Sequence, residues 1–204
     1  SPLLVADHIS KFLGYSACTT RGKRHHMEDH VKILVNWNDN EKDAFFGVFD
    51  GHGGDQCSKF MSSRVAKCIS NDCQFNTNLK NSIINGCRSC NVKYLSDKQC
   101  DCSGSTALIT VLRYNKIIVA NVGDSRAMVI TREGQIKYTV DHKPSNKHER
   151  HRIQRRGGYI TKAKIPRVNG QLAMSRAMGD KNIAMYISSR PDTYEFDVFD
   201  EDPP

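Results

Sequence analysis

Two apolar, β-branched runs, Thr106-Ala107-Leu108-Ile109-Thr110-Val111-Leu112-Arg113 and Ile117-Ile118-Val119-Ala120-Asn121-Val122, lie either side of a short polar break at Asn115. Each is too short for an ordinary helix and is bounded by turn residues, so each reads as a strand. Ala127–Thr131 and Gln135–Val140 follow in the same style, across Gly123 and Gly134. Breaks this short cannot hold the crossover of a dozen or more residues that a parallel pair needs, which makes the series an antiparallel meander. Upstream, Val31–Trp37 and Ala44–Phe49 read as strands joined by the polar turn Asn38-Asp39-Asn40-Glu41. Near the end, Tyr194–Phe199 alternates strictly. Three helices interrupt the strands: one after Gly53-Gly54 with Cys57, Phe60, Met61, Val65, Cys68 and Ile69 on one face; one over about Leu79–Leu95 with Ile83, Ile84, Cys87 and Tyr94; and a basic one over about 147–156 that stops at Gly157-Gly158. With no repeat or linker in sight, residues 1–204 read as a single α+β domain with helices on an antiparallel sheet core.

The 204 residues carry 30 Lys and Arg against 22 Asp and Glu, a net charge of +8, with 38% hydrophobic residues, enough for a core. No apolar run approaches the ~18–20 residues of a membrane span, and Leu3-Leu4-Val5-Ala6 is too short for a signal sequence. The expectation is a cytoplasmic protein, with the nucleus as the alternative compartment, and no membrane partner. The eight cysteines read as free buried thiols; a zinc site at Cys87-x-x-Cys90 with Cys100-x-Cys102 is the sharper alternative, weakened by the helical spacing of the first pair. The densest basic run, Lys147 to Arg156, reads as a solvated helix face, since no aromatic residues are interleaved to stack bases; no nucleic-acid partner is expected.

Chemistry concentrates at strand ends. In Phe49-Asp50-Gly51-His52-Gly53-Gly54 a carboxylate closes an apolar strand, a glycine-rich turn follows, and an imidazole stands two residues on. Oxygen ligands on a flexible turn suit a hard divalent cation, and the histidine suits a general acid. An N-capping aspartate at a helix start explains the same residues without any metal. Arg24-His25-His26-Met27-Glu28-Asp29 and Val122-Gly123-Asp124-Ser125-Arg126 add a guanidinium and more strand-end carboxylates. Together they point to metal-assisted phosphoryl chemistry, with no cysteine-based phosphatase loop and no Walker-type loop to compete.

The order of these blocks resembles the type-2C, metal-dependent protein serine/threonine phosphatases. Besides the three clusters above, Ser103-Gly104-Ser105-Thr106-Ala107, Asp141-His142-Lys143-Pro144, Arg152-Ile153 with Gly157-Gly158, Arg167-Val168-Asn169-Gly170 and Leu172 through Asp180 match in sequence. The resemblance implies a sandwich of two antiparallel sheets flanked by helices. It also implies hydrolysis of phosphoserine and phosphothreonine in phosphorylated protein substrates by a metal-activated water. Residue by residue, it implies that Asp50 bridges two Mg²⁺ or Mn²⁺ ions and Gly51 offers its carbonyl to one. Glu28 and Asp29 would hold metal-bound waters, and Asp124 would help hold a third, weaker ion. Arg24 would bind the phosphate and His52 would protonate the leaving oxygen. Asp180 and Arg167 match motif positions without being assigned as ligands.

The family normally continues beyond the Tyr194–Phe199 strand to further aspartates that complete the metal site; here Asp200-Glu201-Asp202-Pro203-Pro204 follows and no such residues are present. The domain is therefore expected to be C-terminally incomplete, with apolar sheet faces left uncovered. The alternatives are a piece of a longer chain, a dimer or strand-swapped partner completing the site, or a non-catalytic phosphoprotein- or metal-binding relative.

Overall fold

The computed structural model describes residues 3–9, 13–131 and 133–197. The elements run β1 (Leu3–Ile9), β2 (Gly14–Thr19), β3 (His30–Val35), a 3₁₀ turn (Trp37–Asp39), β4 (Asp43–Phe49), β5 (Gly51–His52), α1 (Gln56–Ser70), α2 (Leu79–Ser96), β6 (Gly104–Ser105), β7 (Ala107–Arg113), β8 (Lys116–Val122), β9 (Met128–Ile130), β10 (Ile136–Tyr138), α3 (Lys147–Arg155), β11 (Met178–Gly179) and β12 (Asp192–Asp197). The class is α+β with antiparallel sheets and flanking helices, as expected. The central sheet has the order β12-β8-β7-β4-β3, and every neighbouring pair in it is antiparallel.

Alternation decides what each sheet face does. Phe45 and Phe49 of β4, Ile109 and Val111 of β7, and Ile118, Ala120 and Val122 of β8 point the same way and are buried. Cys57, Met61, Val65 and Ile69 of α1 meet them at four-residue intervals, with Ile83, Cys87, Cys90 and Tyr94 of α2 behind. Asn78 caps α2, its Oδ1 accepting from the Asn81 amide at 3.0 Å. The opposite face is thinner cover: Tyr15 of β2 meets Phe46 edge-on at 5.6 Å, while Val48 stays 42% exposed. On the β9–β10 hairpin Met128, Ile130, Ile136 and Tyr138 are all exposed.

Several details depart from expectation. Trp37 does not extend β3; Asn36 takes a left-handed conformation (φ +53°) and turns the indole into the core against Phe45 and Phe75. The β1–β2 hairpin was not anticipated, nor were the two-residue strands β5, β6 and β11, which pair into a small sheet of their own. The last strand runs over Asp192–Asp197; the expected extension to Phe199 and the acidic turn at Asp200–Asp202 lie outside the described residues. The cysteines are all free, but only Cys57, Cys87 and Cys90 are buried, whereas Cys18, Cys73 and Cys102 are exposed. Among the described residues no helix is long and apolar enough to cross a membrane.

The basic helix is not simply a solvated face. Glu149 of α3 is buried and takes hydrogen bonds from Arg152, Ser175 and Arg176. Arg176 reaches on to Asp192 at 2.7 Å, and Asp192 meets His142 Nε2 at 3.1 Å. These charges sit beside a second apolar cluster of Ile153, Val168, Leu172, Ala177, Ile183 and Ile187, which holds the loop-rich stretch after α3. Glu149 is driven down to about 2: burial opposes ionisation, but the hydrogen bonds and charges of Arg176, Ser175 and Arg152 outweigh it.

Candidate active site

Three short strands far apart in sequence build the site. Gly51 and His52 of β5 pair with Ser105 and Gly104 of β6, and Gly104 and Ser105 pair on their other side with Gly179 and Met178 of β11. The arrangement sets Asp50, His52 and Asp180 around one small sheet. Thr106 pins Asp50 from both directions: its Oγ1 accepts from the Asp50 amide at 3.0 Å, and its own amide donates to the Asp50 carbonyl at 2.9 Å.

Close approach explains two of the glycines. A Cβ on Gly51 would lie 2.3 Å from the Glu28 carbonyl oxygen and 2.7 Å from Ser58 Oγ. Only glycine lets the turn after β4 press against the Glu28–Asp29 loop. Ser58, on the buried face of α1, donates to that same Glu28 carbonyl and contacts His30 Nδ1 at 3.0 Å, tying the loop to the helix. On Gly104 a Cβ would fall 2.2 Å from Asp180 Oδ2 and 2.3 Å from His52 Nε2. The absent side chain is the space in which those two meet.

His52 Nε2 contacts both carboxylate oxygens of Asp180, at 2.9 and 3.0 Å. Asp180 itself sits at φ +50° directly after Gly179 at φ +75°, and its amide donates to the Ser103 carbonyl at 3.0 Å. A non-glycine residue held left-handed at a functional contact is a strained position maintained by its surroundings. Burial disfavours a charged His52, but the Asp180 hydrogen bond and the charges of Asp180, Asp50 and Asp124 outweigh it and raise the imidazole above its usual range. Nδ1 is buried and has no hydrogen-bond partner among the described residues.

The carboxylates expected to bind metal are brought together in part. Asp29 comes within hydrogen-bonding reach of Asp50, and Asp124 is close enough to repel it; burial first, then these two neighbours, push the Asp50 carboxyl above its usual range. Asp124 is also paired with the Lys143 ammonium. The turn bearing Asp124 is fixed from behind: the Gly123 amide donates to His142 Nδ1 at 3.0 Å, so Nε2 carries the hydrogen and gives it to Asp192. The Glu28 side chain is half-buried, and Arg24 stands exposed in the same loop with no hydrogen bond or ion pair to its guanidinium among the described residues. Arg167 is drawn elsewhere, donating to the Gln171 carbonyl within the loop after α3.

Among the described residues no three His, Cys, Asp or Glu side chains converge tightly enough to chelate an ion directly. Asp29 and Asp50, with Asp124 nearby and paired to Lys143, nevertheless form an acidic cluster of all-oxygen donors. That donor set fits a hard divalent cation that keeps several of its waters. Sequence reasoning reached Asp29, Asp50, His52 and Asp124 but gave no role to Gly104, Thr106, His142 or Lys143. Each of these lies within a matched block, yet the work it does depends on contacts across 19 or more residues of chain, such as Lys143 with Asp124.

The family model for Protein phosphatase 2C matches residues 13–203. The probable protein phosphatase 2C 11 of Arabidopsis thaliana is 37% identical over 187 residues, covering 91% of this chain and 50% of that one. The probable protein phosphatase 2C 17 of the same plant is 38% identical, with 87% and 65% covered. Among solved structures, the serine-threonine phosphatase 2C from Toxoplasma gondii superposes with a TM-score of 0.82 at 25% identity, over 98% of this chain and 78% of that chain. The chain thus spans about half to two-thirds of the length of these curated relatives. A match over residues 13–203 that takes in every cluster described above places the chain in the protein phosphatase 2C family.

Proposed function

We propose that the protein hydrolyses phosphoserine and phosphothreonine monoesters in proteins at a dinuclear Mg²⁺ or Mn²⁺ site. The observation that carries this reading is the gathering of Asp29, Asp50 and Asp124 beside the His52–Asp180 pair. Asp50, the Gly51 carbonyl, Glu28 and Asp29 would hold the two ions, the acidic side chains partly through water, and Asp124 a third, weaker one. When bound, the ions would supply a water of lowered pKa as nucleophile and offset phosphate charge. Arg24, unpaired and exposed, grips the phosphate through a bidentate fork. His52, aimed by Asp180, gives its proton to the departing serine or threonine oxygen. Thr106 and Gly104 keep Asp50 and His52 in place while this happens.

A second reading is favoured by the Lys143–Asp124 pair and by the absence of a direct three-carboxylate chelate among the described residues. On that reading these residues bind metal or phosphoprotein without turnover, or a strand-swapped partner completes the site. Mn²⁺-dependent dephosphorylation of a phosphothreonine peptide separates the readings. Turnover abolished by both chelator and Asp50→Ala supports the phosphatase, and a dimer mass in the active species assigns completion to a second copy. Mn²⁺ or phosphopeptide binding without turnover supports the second reading, and turnover that survives Asp50→Ala refutes the first.

A further inference from the structure

A cavity of about 490 Å³ opens between α2 and the segment that ends at Arg190, with Gly179 in its wall. It does not contain the acidic cluster. Arg88 comes from α2, Arg156 from the end of α3, and Arg190 from the approach to β12, with Ser188 and Ser189 between them. Among the described residues no acidic side chain lines it. The guanidiniums of Arg88 and Arg190 have no hydrogen-bond or ion-pair partner among the described residues, whereas Arg156 donates to the Ile187 carbonyl. The Arg190 backbone is held in place, since its carbonyl accepts from Arg176 at 3.0 Å and its amide donates to Ser188 Oγ at 3.2 Å.

Three like charges lining one space repel, and among the described residues only Arg156 has a protein partner, the Ile187 carbonyl. Planar guanidinium forks match the oxygens of a tetrahedral oxyanion two at a time, and serine hydroxyls add donors at the same radius. A carboxylate presents its acceptor sites in one plane, whereas the three terminal oxygens of a phosphate monoester dianion meet donors arriving from three dimensions. The cavity is also larger than a single phosphate, leaving room for the group that bears it.

We propose that this cavity is a second anion site that binds a phosphate monoester dianion, carried either on a multiply phosphorylated peptide or as free phosphate. Its position, one residue from Asp180, sets it beside the small sheet that builds the active site without sharing a charged residue with it. The inference needs neither a bound metal nor turnover, and it stands or falls independently of the phosphatase reading.

The test is calorimetric titration of the chain carrying Arg24→Ala, in chelator, so that the acidic cluster offers no phosphate site. Inorganic phosphate and a doubly phosphorylated peptide serve as probes. Saturable binding weakened about tenfold or more by Arg88→Ala with Arg190→Ala, and weakened further by salt, supports the site. Both replaced side chains are exposed and unpartnered, so unchanged circular dichroism is expected, and the Lys pair should restore part of the affinity. Within that outcome, a peptide bound about tenfold tighter than inorganic phosphate identifies the peptide-borne group, and equal affinities identify free phosphate. No binding to the Arg24→Ala protein, or binding indifferent to the Arg88 and Arg190 changes, overturns the proposal.

Discussion

Asp50 and Asp180 approach the same imidazole from regions built on different physics. Behind Asp50, β4, β7 and β8 lie under α1 and α2, and the contacts between them are almost wholly apolar. Behind Asp180, a loop-rich stretch with little regular structure leans on the smaller cluster around Ile153, Val168 and Ile183. There the remaining cohesion comes from the ion pairs that link Arg152, Glu149, Arg176 and Asp192, with His142 Nε2–H donating a hydrogen bond to Asp192. Burial of apolar area is insensitive to pH. A buried ion network holds only while every member keeps its charge, and removing one partner strands the rest. The first region thus serves as a frame, and the second as a clamp whose grip depends on ionisation.

The largest expected effect comes from breaking the frame. Phe45→Ala, at a fully buried position between sheet and helices, should cost about 3–5 kcal/mol and lower the urea midpoint of the whole chain. Val168→Ala in the smaller cluster should cost about 2 kcal/mol, so equal losses at the two sites in denaturant melts would erase the distinction.

Acid sharpens the comparison from the other side. Glu149 and Asp192 both lie at about 2 in the folded chain, below their ordinary values of 4.5 and 3.8. For Asp192 the His142 hydrogen bond is the main cause, aided by Arg176. A depressed carboxyl contributes stability that is fully present above its unfolded value and is lost as pH falls toward its folded one. Between about pH 4.5 and pH 2, hydrogen exchange should therefore accelerate in residues 147–192 before it does in β4, β7 and β8. Glu149→Gln should remove most of that dependence and cost up to about 3 kcal/mol at neutral pH.

The smallest expected effect on stability falls where the two regions meet. Gly104→Ala should change stability by only about 1 kcal/mol, because the atoms it displaces are the ends of the Asp180 and His52 side chains. It should nevertheless shift the His52 imidazole resonances and, if the protein is a phosphatase, lower turnover about 100-fold through misplacement of the pair. A large stability loss with unmoved His52 resonances would show that Gly104 supports the frame instead.

How much of this could be read beforehand follows the range of the contacts involved. The β7–β8 hairpin, α1 and α2 declare themselves through periods of two and about 3.6, because their burial faces one direction, whereas β9 and β10 leave the expected meander and pair only with each other. Trp37 escaped because a left-handed Asn36 leaves no mark on hydropathy. Strands β5, β6 and β11 have two residues each, too few to establish a period. Asp29, Asp50, His52 and Asp124 were legible because strand-end carboxylates have a chemistry of their own. Glu149 was not, since a buried acid on a basic helix looks the same in sequence as an exposed one. Gly104 and Thr106 were visible as letters in a block, but their tasks exist only once Asp180 and Asp50 arrive beside them.

The His52–Asp180 contact closes a span of 128 residues. Contacts of that separation carry a heavy loop-closure entropy and form late, whereas the α1–α2 pair and the β7–β8 hairpin close locally. During synthesis the frame can begin to assemble as soon as β8 is available, but His52 has no partner until the ribosome has released residue 180. The His52–Asp180 pair is therefore a late product of folding, available only after β3, β4, β7 and β8 can already have paired.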